Sequence, residues 1–347
     1  MKIKKKYIIY TILVVILGCL IYVLMALFSD FEKIKGAFLQ YRYEYFLIAF
    51  SCIALNWFNE GLMLKTVVES IKTVRFKCTF KIAMITQFFN LITPFFTGGQ
   101  PFTVYYFSKE GVEYEQSIAA ILYKSFTFQV AISLLGGISL FLTWNHLSVY
   151  TAVVALVAII INGGLALLMF FLGKHQKTVD FFVTLLMKLL KKLHLIKRYE
   201  SVKKNIDNRA KEFVNMFEKF GSQKGLFFKL TGLNMINYSL YVASAVIILI
   251  GAGVTIDFEL LNRIFLLNFS SSVIPTPGTS GGVEGFYFLF LKAFVDVNIL
   301  TLSVFLWRMA SYYLNILCSG LFVFVGFFRV KEKDLPSTST ESSKTKN

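Results

Sequence analysis

Long apolar runs separated by short polar or basic stretches organise the chain, and the length of each run predicts its element. Apolar residues fill 7–28, 45–64, 117–143, 147–172, 225–250 and 299–328. Each run is long enough for a helix to cross a hydrocarbon core, which takes about 20 residues at 1.5 Å each. Two more apolar stretches, 82–107 and 260–295, are broken in the middle by proline and glycine. The first break reads Thr93-Pro94-Phe95-Phe96-Thr97-Gly98-Gly99-Gln100-Pro101, and the second reads Pro275-Thr276-Pro277-Gly278-Thr279-Ser280-Gly281-Gly282. Neither stretch has the roughly 20 residues per crossing that a pair of full spans would need. Each is therefore expected to be a re-entrant hairpin.

The basic residues orient these elements. Lys2, Lys4, Lys5 and Lys6 precede the first run, which has no small-residue cleavage site and reads as a retained helix with its N-terminus in the cytoplasm. Lys65, Lys72, Arg75, Lys77 and Lys81 follow the second run, and residues 174–224 form the most basic part of the chain, so both loops are expected inside. Counting back from them puts the turn at Asn145 and His146 outside and Lys109 inside. The first hairpin then enters and leaves on the cytoplasmic side. Counting forward puts Asp257 and Asp296 both outside, so the second hairpin enters from the opposite face. Span, hairpin and span recur with opposite polarity, and both breaks contain T-P-x-x-[ST]-G-G. This is the layout of an inverted repeat; two unrelated loops in a helical bundle are the plainer alternative.

Composition agrees with a membrane protein. Of 347 residues 56% are hydrophobic and only 16% charged, against about a quarter charged in soluble domains. A soluble globule, a disordered chain and a disulfide scaffold are excluded. The net charge of +16 follows the cytoplasmic loops, so no nucleic-acid partner is expected. Cys19, Cys52, Cys78 and Cys318 stand alone, and His146, His175 and His194 form no ligand pattern. No metal and no cofactor are expected.

Between the halves, Phe182, Leu186, Leu189 and Leu193 share one helical face, with Lys188, Lys191 and Lys192 elsewhere. Ile206, Ala210, Phe213, Phe217 and Phe220 share another. These are amphipathic helices that either lie on an anionic cytoplasmic leaflet or pack on the bundle. The Ser/Thr/Lys-rich tail from Pro336 reads as disordered. The expected fold is an all-α polytopic membrane protein with about six spans and two opposed re-entrant hairpins. Its parts are an N-terminal half (1–172, hairpin 82–107), a basic amphipathic segment (173–224), a C-terminal half (225–330, hairpin 260–295) and a tail (331–347).

The run Thr97-Gly98-Gly99-Gln100-Pro101-Phe102-Thr103-Val104-Tyr105-Tyr106 resembles the first motif of the lysylphosphatidylglycerol synthase transmembrane (flippase-like) family. The run from Pro275 to Gly285 resembles its second, P-x-P-G-x-x-G-G-x-E-G. Trp307-Arg308, Tyr312-Tyr313 and Gly320 are similar to its last helix. The likeness runs in order over nearly the whole chain. It implies a flippase for an aminoacylated phospholipid, and a protein of the cell membrane. In two-part relatives a separate soluble domain makes that lipid from lysyl-tRNA. The present chain is expected to match the membrane part alone, so a lysyltransferase label would describe those relatives better.

Charges in apolar runs need a reason. Arg308 and Lys124, brought within one residue of each other by the offset that aligns Thr93 with Thr276, are candidate ligands for an anionic headgroup. The alternatives are that Lys124 snorkels to the cytoplasmic end and that Arg308 pairs with a structural carboxylate, Glu60 or Glu284. Glu284 is either a helix cap or a counter-ion for a cationic headgroup, and Glu60 is a further candidate counter-ion. Thr93, Pro94, Gly98, Gly99 and Gln100, with Thr276, Pro277, Gly278, Gly281 and Gly282, are candidate substrate contacts, because half-helix N-termini at a break attract anions. Tight helix crossing through small residues is the other reading of these glycines.

The expected partners are thus a membrane lipid as substrate, the anionic leaflet, and a homo-oligomer or a lipid-modifying enzyme. A lipid transporter of the cell membrane with both termini cytoplasmic fits best. The other function is the membrane part of a phosphatidylglycerol lysyltransferase, which acts with a separate catalytic domain in lysylphosphatidylglycerol synthesis and resistance to cationic antimicrobial peptides. No catalytic residue is expected, since the chain has no DxD, Ser–His–Asp set or phosphate loop.

Overall fold

Backbone groups have no water to bond with in a bilayer core, so a spanning chain must satisfy them within helices or closed barrels. The computed structural model takes the helical solution: among the described residues there are helices and no strands. Those residues are 31–93, 96–192, 199–274, 276 and 279–330, without the side chains of 31, 186, 189–192, 199–207 and 325–330. The expected first span (7–28), Pro94, Pro275, Pro277, Gly278, Leu193, the tail and the side chains of Leu186, Leu189 and Ile206 lie outside them.

The elements are α1 (Phe31–Gln40), α2 (Tyr43–Val68), α3 (Phe76–Leu91), α4 (Gln100–Lys109), α5 (Tyr114–Thr143) with a 3-10 turn (Trp144–His146), and α6 (Val149–Lys174). There follow α7 (Gln176–Lys192), α8 (Tyr199–Ser222), α9 (Lys224–Gly251), α10 (Phe258–Ser271), α11 (Gly282–Leu291) and α12 (Val297–Arg308). A π-helical turn (Met309–Tyr313) leads into α13 (Leu314–Val330). By length and composition α2, α5 with its 3-10 turn, α6 and α9 can cross a membrane. The expected last span is divided into α12, the π-turn and α13.

Helices α2 and α9 run antiparallel at the centre. The Arg42 N–H donates to the Gly251 carbonyl at one end, and Met63 and Val67 meet Leu230 towards the other. Only 22% of the apolar window of α6 is buried, against 33–39% for the other three, so α6 is the outermost.

Both broken stretches are helix, break and helix. Thr93 and Thr276 are 183 positions apart, and the same offset carries α3, α4 and the start of α5 onto α10, α11 and the start of α12 to within a few residues. It also carries Phe96 onto Thr279. These are the two non-glycine residues with positive φ among the described residues, each at 53°. Such a conformation is uncommon and costs strain. The packing is exchanged in the same way: α3 lies against α13, and α10 lies against α5.

The ends of the first broken stretch lie side by side, since the Lys72 ammonium donates to the Glu110 carbonyl at 2.8 Å. At the second, the Arg263 guanidinium of α10 sits 4.5 Å from the ring of Phe294, just past α11. Arg263 also binds Glu259 and donates to the His146 carbonyl.

The apolar stripe of α8 packs on protein. Ala210, Phe217 and Phe220 are buried, and the Phe217 ring lies where a side chain on Gly173 would go. Arg209 of α8 forms an ion pair with Glu115 at the start of α5. Among the described side chains of α7, Val179, Val183 and Met187 face inward, whereas Phe182 is exposed.

Candidate functional site

The second break ends at Gly281, whose φ of +86° suits glycine alone. Helix α11 starts immediately after it. Its first N–H groups are without intrahelical partners, and a carboxylate three residues on can reach back to them. Glu284 does so: its Oε2 accepts from the Gly281 N–H at 2.8 Å. The other carboxylate oxygen, Oε1, lies 3.0 Å from Nε of Arg308, at the end of α12. The side chains of the pair are 2% and 4% exposed, for Arg308 and Glu284 respectively.

The rest of the Arg308 guanidinium is also engaged. Nη2 donates to Ser280 Oγ at 2.6 Å, and the Tyr312 ring lies 4.3 Å from the guanidinium carbon. Tyr312 belongs to the π-turn that follows Arg308. The extra residue of a π-turn widens the helix, and such turns concentrate at functional sites. The Tyr312 hydroxyl donates to the carbonyl of Leu91, the last residue of α3. One cation thus joins the second break, the last helix and, through Tyr312, the first hairpin.

Lys124 of α5 is paired separately, with Glu60 of α2, and both side chains keep some exposure at 17% and 20%. The surrounding seam is polar. Thr127 donates to the Lys124 carbonyl, Asn234 donates to Thr127, and Asn59 donates to the Leu233 carbonyl. The carbonyl oxygens of Asn56, Asn234 and Asn237 are buried with no hydrogen-bond donor among the described residues. Such acceptors are the usual places for ordered water or a polar ligand. Helix α2 is common to both pairs: one turn before Glu60, Trp57 donates to Asn315 of α13 at 2.9 Å, and the π-turn packs against α2.

The first break is closed upon itself. The Gly98 N–H donates to Thr93 Oγ1 at 2.9 Å, and the Gly99 N–H donates to Asn90 Oδ1 at 2.8 Å. These two N–H groups do not point into a cleft. A Cβ on Gly99 would lie 2.2 Å from the Thr86 carbonyl, so this glycine serves close packing within the hairpin. Gln100 is the first residue of α4. In the second break Thr276 Oγ1 donates to the Ser280 carbonyl, and Gly282 packs on Ile274. Pro94, Pro277 and Gly278 lie outside the described residues. The structure therefore joins Glu284 to Arg308 and Glu60 to Lys124.

Four residues that make these contacts escaped the sequence reading. Ser280 and Tyr312 lie within the family-like motifs and carry no charge to draw attention. The Arg263–Glu259 pair has i, i+4 spacing, which is legible in a sequence.

A family model described as "Lysylphosphatidylglycerol synthase TM region" matches residues 15–319. A protein from Archaeoglobus fulgidus described as "UPF0104 membrane protein" is 23% identical over 282 residues, covering 80% of this chain and 85% of the relative.

Proposed function

We propose that this chain, which belongs to the lysylphosphatidylglycerol synthase TM region family, moves a phospholipid headgroup between the leaflets of the cell membrane. The headgroup is anionic or aminoacylated, or a polyprenyl phosphate, and the acyl tails stay in lipid. The observation that carries this reading is the buried Arg308–Glu284 pair beside a broken hairpin and a π-turn. A buried ion pair contributes little net stability over an apolar substitute, so its retention calls for another reason. Intramembrane charges by default mark a substrate path.

Partner exchange supplies a mechanism. A headgroup phosphate takes the place of Glu284 on the planar guanidinium, which suits bidentate phosphate recognition. The ammonium of an aminoacylated headgroup takes the place of Arg308 on Glu284. With an aminoacylated headgroup both members of the pair stay compensated, which avoids stranding an ion in a low-dielectric interior; with a purely anionic one Glu284 keeps the Gly281 N–H. The Glu60–Lys124 pair, the less buried of the two, offers a second station along α2. The two span–hairpin–span units act as an inverted repeat whose rocking exposes the seam to each leaflet in turn, with six spans and both termini cytoplasmic. The reading as the membrane part of a lysyltransferase rests on the family's name alone.

Photolysis of the purified chain with a diazirine-bearing phosphatidylglycerol headgroup tests the site. Adducts are expected in the peptides holding Ser280–Glu284 and Arg308–Tyr312. Adducts confined to the outer helix α6 would overturn the assignment.

A further inference from the structure

We propose that α7 is a membrane-surface helix whose exposed face docks on an anionic phospholipid leaflet, while α8 beside it is an internal strap. The two helices look alike in sequence, and packing separates them. Helix α8 spends its apolar stripe on the protein, with Phe217 and Phe220 buried. Among its described side chains, helix α7 turns Val179, Val183 and Met187 to the protein, with Val179 and Val183 packed against Ala210 and Val214 of α8. On the opposite side Phe181 is 64% exposed and Leu185 45%. Both exposed apolar residues share a face with exposed Lys177 and Lys188, at spacings of four, four and three residues. Asp180, the acid of α7, is about a quarter turn away and accepts from Gln176 at 2.7 Å.

The position of this face names its partner. One residue, His175, separates α7 from α6, the outermost of the long apolar helices, and its extended backbone ends α6. Phe171 and Leu167, towards the end of α6, are exposed apolar residues. The exposed apolar surface of a lipid-facing span thus continues onto α7 and there acquires lysines. That combination, apolar side chains rimmed by cations at the end of a span, matches a headgroup region carrying negative charge. Docking there would hold the strap α8 at a fixed depth through Val179.

Spin labels at Phe181→Cys and Leu185→Cys, in a chain with its own cysteines replaced, read the burial depth by oxygen against nickel accessibility. The full chain is placed in vesicles of phosphatidylcholine with or without phosphatidylglycerol. The expected result is oxygen-rich labels in the phosphatidylglycerol vesicles. Lys177→Gln with Lys188→Gln should lower the docked-to-undocked ratio roughly thirtyfold. Labels open to nickel in both vesicles would overturn the proposal. So would labels shielded from both reagents with spin coupling between copies, which would make this face a contact between two chains. Loss of lipid transport with docking intact would count against the proposed function and leave α7 as assigned.

Discussion

Replacing Arg308 by Gln removes the cation but leaves Glu284 in place, with its side chain 4% exposed and the Gly281 N–H as its remaining short contact among the described residues. Removing one partner of a buried pair costs about 3–5 kcal/mol, because the other charge is stranded. Arg308→Gln should therefore melt well below the parent chain in detergent. Membrane insertion moves the other way: a guanidinium deep in an apolar run costs roughly 2.5–3.5 kcal/mol on translocon scales, and the uncharged Gln costs less. The informative variant is the double one, Glu284→Gln with Arg308→Gln. The amide oxygen that Glu284→Gln introduces can still accept from the Gly281 N–H, and no charge is stranded, so most of the stability should return. Transport of a fluorescent anionic lipid in liposomes should stay lost, because neither headgroup ligand remains. A double variant that melts like the parent and still moves lipid at the parent rate would refute the role of Arg308 in the substrate path. Arg308→Lys keeps the charge without the planar fork and should transport at a reduced rate.

Gly99→Ala should prevent the first hairpin from closing, since its Cβ would meet the Thr86 carbonyl at 2.2 Å. Gly137→Ala, with nothing within 4 Å, should melt like the parent. Asp296 caps α12 by accepting from the Asn298 N–H at 2.9 Å, and that bond holds its carboxyl below the ordinary carboxylate value. The group is depressed on folding, so its contribution is present above the unfolded value near pH 4 and fades as pH falls through the lower folded value. Asp296→Ala should cost about 1 kcal/mol at neutral pH, and melts taken at decreasing pH should show the gap closing; a gap constant down to pH 3 would contradict the assignment. Cysteines at Lys72 and Lys109 should react with a membrane-impermeant reagent from one side, and cysteines at Asp257 and Asp296 from the other. Labelling of Lys109→Cys from the outside would remove the re-entrant arrangement.

Sequence patterning revealed the elements whose cause is local. Runs of apolar residues locate α2, α5, α6 and α9, and proline with glycine locates the two breaks. The offset from Thr93 to Thr276 also superposes Phe96 on Thr279, the two strained positions that the structure shows. Partners were less legible, because they depend on how distant segments meet. Arg308 finds Glu284, rather than Glu60, since α11 and α12 pack together and the Gly281 turn aims the carboxylate. The Gly-Gly turn of the first hairpin looked like an anion cradle, yet Asn90 and Thr93 take its N–H groups. Asn90 attracts no notice in sequence because its role needs the helix to fold back. The stripes of α7 and α8 look alike in sequence, and only packing reveals that Phe217 and Phe220 of α8 are spent on protein while Phe181, Phe182 and Leu185 of α7 are exposed.

The most decisive measurement is lipid movement by the purified chain alone. Liposomes carrying a headgroup-labelled fluorescent phosphatidylglycerol are reconstituted with the protein, and an impermeant reductant is added from outside. Transport between leaflets predicts that fluorescence falls beyond the outer-leaflet share, and that the Glu284→Gln, Arg308→Gln double variant stops at that share. Parent protein, shown to be folded and inserted, that also stops at the outer-leaflet share would contradict the account.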